Sequence, residues 1–551
     1  MFKFWGGLLS SSLEIEELIP WIKGFGFTLG EWRKNVCVRY SEKIAVKEVE
    51  SGRFLSYKEL NLNSNKVANG LLGLGIKKGD PVVLFTCNRL EYLVLEQALH
   101  KIGAIRVSLN ERLSSDYLRY IINDSAAKMV VTDHELLGKV YPIIQEKGQQ
   151  LKVVCVSDGN RLPSGVLDFE ELLKYSEEEP KINVDEQDIA QYGYTGGTTG
   201  FPKGVVRTHK ADFITYVFEA IEWDITDGEK MLWATPLPHV AGLVIPAGFL
   251  KGATAYIMKK FDIPKFLETI EKEKITWTFL VPTMVYMLLE HPDLRKYDLS
   301  SLRTIIYGAS PMSPEKLKQA VKIFGPIFIQ IYGQYEVPDL ISRLTKEEHL
   351  EALQNPSKQK RLASAGKPHS WVKVKIVDDN DVEVPRGTIG EIVVRAPHMM
   401  LGYLNKPEVT AETLKNGWLH TGDVGYMDED GYLYIIDRKK DMIISGGMNV
   451  YSAEVEKVLH EHPAVKDVAV IGVPDEKWGE AVKAIVALKQ EYKPSKEIVD
   501  DIIRFAKEKL PAYAVPKSVD FIDEIPVTPY GKIDKKKLRE PYWKGLERKV
   551  H

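Results

Sequence analysis

The chain has 551 residues, more than one hydrophobic core can serve and enough for about three to four compact units. Its 74 basic and 77 acidic residues leave a net charge of −3, which offers no electrostatic footprint for nucleic acid or for an anionic membrane surface. The 44% apolar and 27% charged composition excludes a largely disordered protein, and three cysteines without CxxC spacing exclude a disulfide framework or a zinc ribbon.

A reducing, cytoplasmic setting is therefore expected. Residues 1–10 carry one lysine and a short apolar patch without a cleavage pattern, so they do not read as a signal peptide. Residues 57–74 place Leu60, Val67, Leu71 and Leu72 at helical spacing, and Gly73-Leu-Gly75 stops that helix. A buried strand follows at residues 81–85 and a helix at 91–102; short β-branched runs at 128–133, 152–156 and 304–307 repeat the strand signal. This alternation predicts an α/β architecture with mainly parallel sheets. The acidic stretch 176–188 reads as a solvated connection.

Residues 231–250 contain no Asp, Glu, Lys or Arg, and twenty such residues are long enough to span a bilayer. Pro236, Pro238, Pro246 and His239 argue instead for a buried strand–loop–helix. From about residue 372 alternating strands between Gly/Asp turns (372–377, 390–395, 431–437) predict an antiparallel, barrel-like unit. After residue 438 a compact α+β pattern follows, with helices at 452–461 and 495–509 and strands at 465–473, 481–488 and 518–522.

The most informative peptide is Tyr194-Thr-Gly-Gly-Thr-Thr-Gly-Phe-Pro-Lys-Gly204, between the strand-like run 189–194 and a helical segment after Val206. Its glycines let backbone amides face an anion, its threonines add hydroxyl donors, and Lys203 adds positive charge, which together point to phosphate binding. The order Lys203-Gly204-Val205 is not that of a Walker A loop.

This loop resembles that of the acyl-activating adenylate-forming enzymes, a superfamily of acyl- and aryl-CoA synthetases, peptide-synthetase adenylation domains and beetle luciferases. The resemblance runs from about residue 55 to 538 and rests on separated motifs in the family's order. It implies an α/β fold with a large N-terminal domain (1–437) of two α/β-layered subdomains plus a β-barrel-like subdomain. A hinge at 438–440, centred on Lys440, would let a small α+β C-terminal domain (441–551) rotate.

By the same resemblance, Thr195, Gly196, Gly197, Thr198, Thr199, Gly200 and Lys203 would hold the phosphates of ATP. Gly308, Ala309 and Ser310 resemble the loop along the adenine, and Tyr332-Gly333-Gln334-Tyr335-Glu336 the motif in which Tyr332 stacks on adenine and Glu336 binds Mg²⁺. Asp423 would accept from the ribose hydroxyls, with Arg438 reaching the same sugar. His239, in Pro236-Leu-Pro-His239-Val-Ala-Gly242, would lie beside the carboxylate to be activated. Lys532 would contact that carboxylate and the α-phosphate, and Gly446 and Gly447 would line a pantetheine tunnel after rotation. Catalytic contacts thus fall to Lys532, His239, Thr195 and Glu336.

Tyr335 departs from the family pattern, which has a phosphate-contacting threonine there. The candidate acyl pocket of Trp233, His239, Val240, Leu243, Tyr335 and Val337 is mostly apolar, with no cation for a second carboxylate. The resemblance implies an AMP-forming carboxylic acid–CoA ligase using ATP and Mg²⁺, with CoA as co-substrate. A medium- or long-chain fatty acid is the first substrate and an aromatic acid the second. Loading of a carrier protein, and a nucleotide-binding interaction protein with little catalysis, stand as alternatives. No nucleic-acid partner and no transmembrane segment are expected, and a homodimer is permitted.

Overall fold

The computed structural model describes residues 28–195, 202–528 and 533–544. Among these residues four sheets form. One orders Gly402–Tyr403, Lys203–Thr208, Ile189–Thr195, Ile105–Ser108, Pro81–Phe85, Met129–Asp133, Lys152–Val156 and Val166–Asp168. Its strands from Ile105–Ser108 to Val166–Asp168 pair in parallel, and all but the half-buried edge strand Val166–Asp168 are fully or largely buried. A second sheet has a parallel centre of Thr254–Ile257, Lys230–Trp233, Trp277–Leu280, Thr304–Tyr307 and Phe328–Gln334, then turns antiparallel at Val337–Leu344.

Local chemistry explains the helices that join them. Ser56 caps the helix Tyr57–Gly73 by accepting from the Glu59 amide, while the Glu59 carboxylate accepts from Ser56 in return. The helix Leu90–Ile102 is buried along its whole length, so it belongs to the core of both sheets' packing. One expectation shifts: the segment from Lys203 to Thr208 is a strand, and the helix begins only at His209, with Thr208 accepting from the Ala211 amide. Val205 and Val206 explain this, since β-branched residues pair there with Gly193 and Tyr192.

The charge-free stretch resolves into the strand Lys230–Trp233, a wide helical turn Leu237–Ala241 and the helix Gly242–Phe249. No helix among the described residues is long and apolar enough to cross a membrane. The third sheet is antiparallel and comprises Lys373–Val377, Gly390–Arg395, Trp418–Met427, Leu414–Lys415 and Leu433–Arg438. The fourth, Met448–Val450, Ile443–Ser445, Gly479–Leu488, Val465–Asp475 and Ser518–Phe521, has its own apolar core around Val468, Val470 and Ile502. The fold is thus mixed α/β with a large N-terminal and a small C-terminal domain.

Candidate functional site

The strand Ile189–Thr195 and the strand Lys203–Thr208 run antiparallel, and Thr195 stands directly opposite Lys203. Gly196, Gly197, Thr198, Thr199 and Gly200 lie outside the described residues between them, as does Lys532 near the C-terminus. The short strand Gly402–Tyr403 pairs with the other side of Lys203–Thr208. That pairing sets the Lys203 ammonium 4.4 Å from the centre of the Tyr403 ring. Burial lowers the pKa of Lys203, and the nearby Glu336 carboxylate opposes the shift.

Glu336 sits in the turn between Phe328–Gln334 and Val337–Leu344 and is almost wholly buried. Its Oε1 accepts from the Tyr403 hydroxyl at 2.7 Å. Among the described residues no group of three His, Cys, Asp or Glu side chains is placed to hold a metal ion. A lone buried carboxylate beside a lysine fits a magnesium ion that takes its remaining oxygens from phosphate and water.

On the preceding strand, Tyr332 donates its hydroxyl to Asp423 Oδ2 at 2.7 Å, and Arg438 Nε pairs with Asp423 Oδ1 at 2.9 Å. Asp423 raises the Arg438 pKa, and burial with the same carboxylate pushes the Tyr332 phenol well up. Gln334 Nε2 donates to the Thr421 carbonyl at 3.3 Å, tying this strand to the loop that carries Asp423. Gly308 passes so close to the Ile331 carbonyl that a side chain would collide with it. Ala309 follows at φ +68°, a left-handed turn, and leaves Ser310 exposed. Three segments far apart in sequence thereby meet around Tyr332.

His239 lies within the wide turn at φ −111° and ψ −141°, and its Nε2 is 2.7 Å from Asn110 Nδ2. Trp233 is fully buried with its ring 5.3 Å from that of Trp277. Leu243 shares that core, and Val240 and Tyr335 pack against it. Val337 belongs to the core of the antiparallel region, which Tyr335 also touches, so Tyr335 bridges the two. Its hydroxyl donates to Gln191 Oε1 at 3.0 Å, and burial pushes the phenol up to about 12.

Arg438 ends its strand, and Lys439–Asp441 forms a single tight helical turn that includes Lys440. Gly446 and Gly447 make the positive-φ turn between Ile443–Ser445 and Met448–Val450, where the Gly446 amide donates to the Trp478 carbonyl at 2.8 Å. These two glycines pack within the small domain, whereas the Tyr332, Glu336 and Asp423 groups belong to the large one.

Three participants were not singled out from the sequence. Asn110 and Tyr403 carry no local pattern, and Asp437 lies in a run of charged residues where only Arg438 and Lys440 had roles assigned. Asp437 Oδ2 accepts from Ser452 Oγ at 2.7 Å and from the Ala453 amide at 3.2 Å, capping the first helix of the small domain.

Comparison with known proteins identifies the family. Residues 34–404 match the model of the AMP-binding enzyme family, and residues 454–532 match that of the AMP-binding enzyme C-terminal domain. The chain is 38% identical to the medium/long-chain-fatty-acid–CoA ligase FadD8 of Mycobacterium tuberculosis, covering 87% of this chain and 84% of that protein. It is 36% identical to a feruloyl-CoA synthase of an Amycolatopsis species, covering 93% and 99%. The o-succinylbenzoate CoA synthetase of Bacillus subtilis, solved with its acyl-adenylate intermediate, superposes with a TM-score of 0.80 at 30% identity, covering 94% of this chain and 99% of that one.

Proposed function

The chain belongs to the AMP-binding enzyme family as an acid–thiol ligase, and from that premise we propose that it converts a carboxylic acid and CoA into an acyl-CoA through an acyl adenylate. The acid's carboxylate oxygen attacks the α-phosphorus of ATP, and pyrophosphate leaves. The CoA sulfur then attacks the acyl carbonyl, AMP leaves with the bonding pair, and the thiol proton passes to solvent.

The observation that carries this reading is the Tyr332–Asp423–Arg438 cluster. A buried carboxylate already accepting from a phenol and a guanidinium is an acceptor suited to the hydroxyls of a ribose. Thr195, Lys203 and Lys532 would meet the phosphates, and Gly308, Ala309, Ser310 and Tyr332 the adenine. Glu336 would hold magnesium, which supplies neutralisation of the phosphate charge. His239, fixed by Asn110, would orient the acid, and rotation about Lys440 would bring Gly446 and Gly447 to the thiol step.

A medium- or long-chain fatty acid is the first substrate, supported by the apolar Trp233, Val240, Leu243 and Val337 and by the mycobacterial relative's name. An aromatic acid is the second reading, favoured by the planar Tyr335 ring over Gly193 and by the feruloyl-CoA relative. ATP–pyrophosphate exchange over acids from acetate to palmitate plus benzoates, with CoA-dependent AMP release, tests both. Exchange with no acid, despite ATP binding, would overturn the proposal.

A further inference from the structure

Two asparagines from the first sheet hold the turn that follows a strand of the second. The parallel neighbours Pro81–Phe85 and Ile105–Ser108 run on to Asn88 and Asn110 beyond their carboxyl ends. Asn88 Oδ1 accepts from the Leu237 amide at 2.8 Å, while its Nδ2 donates to the Thr235 and Met258 carbonyls at 3.0 and 2.9 Å. That amide is spent on backbone groups. Asn110, only 3% exposed, reaches the half-buried His239 ring instead. Arg106 stands beside Gln191 in parallel register, so Asn110 and Thr195 leave the sheet at the same end. Open α/β sheets bind ligands outside the carboxyl ends of their strands, and His239 is held at that end.

The Asn110 side chain has one orientation. Its Oδ1 accepts from the Arg112 amide at 2.8 Å. A backbone N–H can only donate, so the oxygen faces Arg112 and the NH₂ group faces His239. Nδ2 lies 2.7 Å from the ring's Nε2. A donor that close requires a lone pair on Nε2, since a hydrogen there would set two N–H groups against each other. A neutral imidazole carries one ring hydrogen, which must then be on Nδ1. With Nε2 committed to Asn110, any hydrogen bond between the ring and a carboxylate is a donation from Nδ1–H.

We propose that Asn110 is a positioning residue, which fixes His239 as the Nδ1–H tautomer and so makes the ring a hydrogen-bond donor to the acid's carboxylate. This rests on the acid–CoA ligase reading above and deepens it, because Asn110 decides which ring atom meets the acid. A neutral donor orients the carboxylate and leaves it the negative charge with which it attacks phosphorus, whereas an imidazolium would quench part of that charge.

The first test is ring-¹⁵N histidine NMR of the full chain, with the His239 signals identified by their loss in His239→Gln. Couplings between ring protons and nitrogens tell Nδ1–H from Nε2–H. The unmodified protein should show a bare Nε2 and a protonated Nδ1. Asn110→Asp is isosteric and keeps an acceptor for the Arg112 amide, but it sets an oxygen against Nε2, which should gain a hydrogen. An Nε2–H ring in the unmodified protein, or a bare Nε2 in Asn110→Asp, overturns the inference whatever the activity.

The second test is ATP–pyrophosphate exchange over acids from acetate to palmitate plus benzoates, pursued with the acid that exchanges fastest. Asn110→Asp should lower kcat/KM for that acid by about tenfold to a hundredfold, with KM for ATP within about twofold of the parent's. In a His239→Gln background the same substitution should cost less than about twofold, because the ring through which Asn110 acts is gone. An equal cost in both backgrounds would show a merely structural residue, overturning the inference and leaving the ligase reading standing. Exchange with no acid overturns the ligase reading and, with it, the contact to the carboxylate.

Discussion

The ring of Tyr335 fills the space that a side chain on Gly193 would occupy: a β-carbon built there would lie 1.7 Å from its Cε1. The two residues are 142 positions apart, and the glycine is what allows a phenol where the family has a threonine. Gly193→Ala should therefore destabilise the protein by about 1–3 kcal/mol, as overpacking of a tight interior does. Tyr335→Thr should remove that penalty in the double variant, because the clash then has no second partner. Urea midpoints of the four proteins close the cycle, and additive effects would break the proposed coupling. Tyr335→Thr alone should retain or raise pyrophosphate exchange.

Glu336→Gln keeps the hydrogen bond from Tyr403 but loses the charge that a magnesium ion needs. Adenylation should fall by roughly 10²-fold or more, with the magnesium concentration for half-maximal rate shifted upward. Unchanged magnesium dependence would place the metal elsewhere.

Lys532→Ala should lower adenylation by roughly 10²–10³-fold while sparing thioester formation from supplied acyl adenylate. Separate assays of the two half-reactions measure this. Equal loss in both would exclude an exchange of Lys532 for the Gly446–Gly447 turn.

Asp437 caps the helix Ser452–His460 from the strand Leu433–Arg438, and Lys535 reinforces the joint by reaching Ser452 Oγ at 2.7 Å and Glu456 at 2.7 Å. The helix's own cap position, Tyr451, contributes no side-chain bond to the helix terminus. Asp437→Ala should cost about 1 kcal/mol locally, read as faster amide exchange at Ala453 and the first turn. Protection equal to the parent's would show that the cap is dispensable.

Burial raises Asp339 to about 7, with Arg207 opposing, against an ordinary value of 3.8. The folded chain thus holds a proton that the unfolded chain releases between those values, so this group's contribution to stability declines as pH rises through that window. Asp339→Asn stays neutral at every pH and should flatten the decline. Urea midpoints at about pH 4.5 and about pH 7.5 decide it, and a parallel slope in both proteins would dismiss the role of Asp339.

Much of the architecture was readable because apolar residues recur at helical or alternating spacing and glycines mark the turns, as from Tyr57 to Phe85. The strand at Lys203–Thr208 was missed because its partners, Tyr192 and Gly193 on one side and Tyr403 on the other, are set by tertiary pairing. In the site, the motif residues Tyr332, Glu336 and Asp423 were identifiable by resemblance. Their holders were not: Tyr403 meets Glu336 across 67 positions and Gln191 meets Tyr335 across 144, distances over which periodicity carries nothing. The burial of Glu219 is hidden for another reason. A glutamate in a helix normally faces water, and only packing shows that this one does not.

Lys203 and Glu336 share Tyr403, the ammonium over the face of the phenol and the carboxylate accepting from its hydroxyl. Cation and anion thus meet one aromatic ring, the first at its face and the second at its hydroxyl, and each weakens the other's field at a distance. Such a pairing would weaken the pull of Lys203 on a distant polyanion. On the proposed reading, capture of a nucleotide with its metal would be an exchange of partners on contact, Lys203 leaving the ring for phosphate and Glu336 turning from the phenol to the metal. Association should then vary little with ionic strength, unlike that of a protein that steers its ligand by net charge.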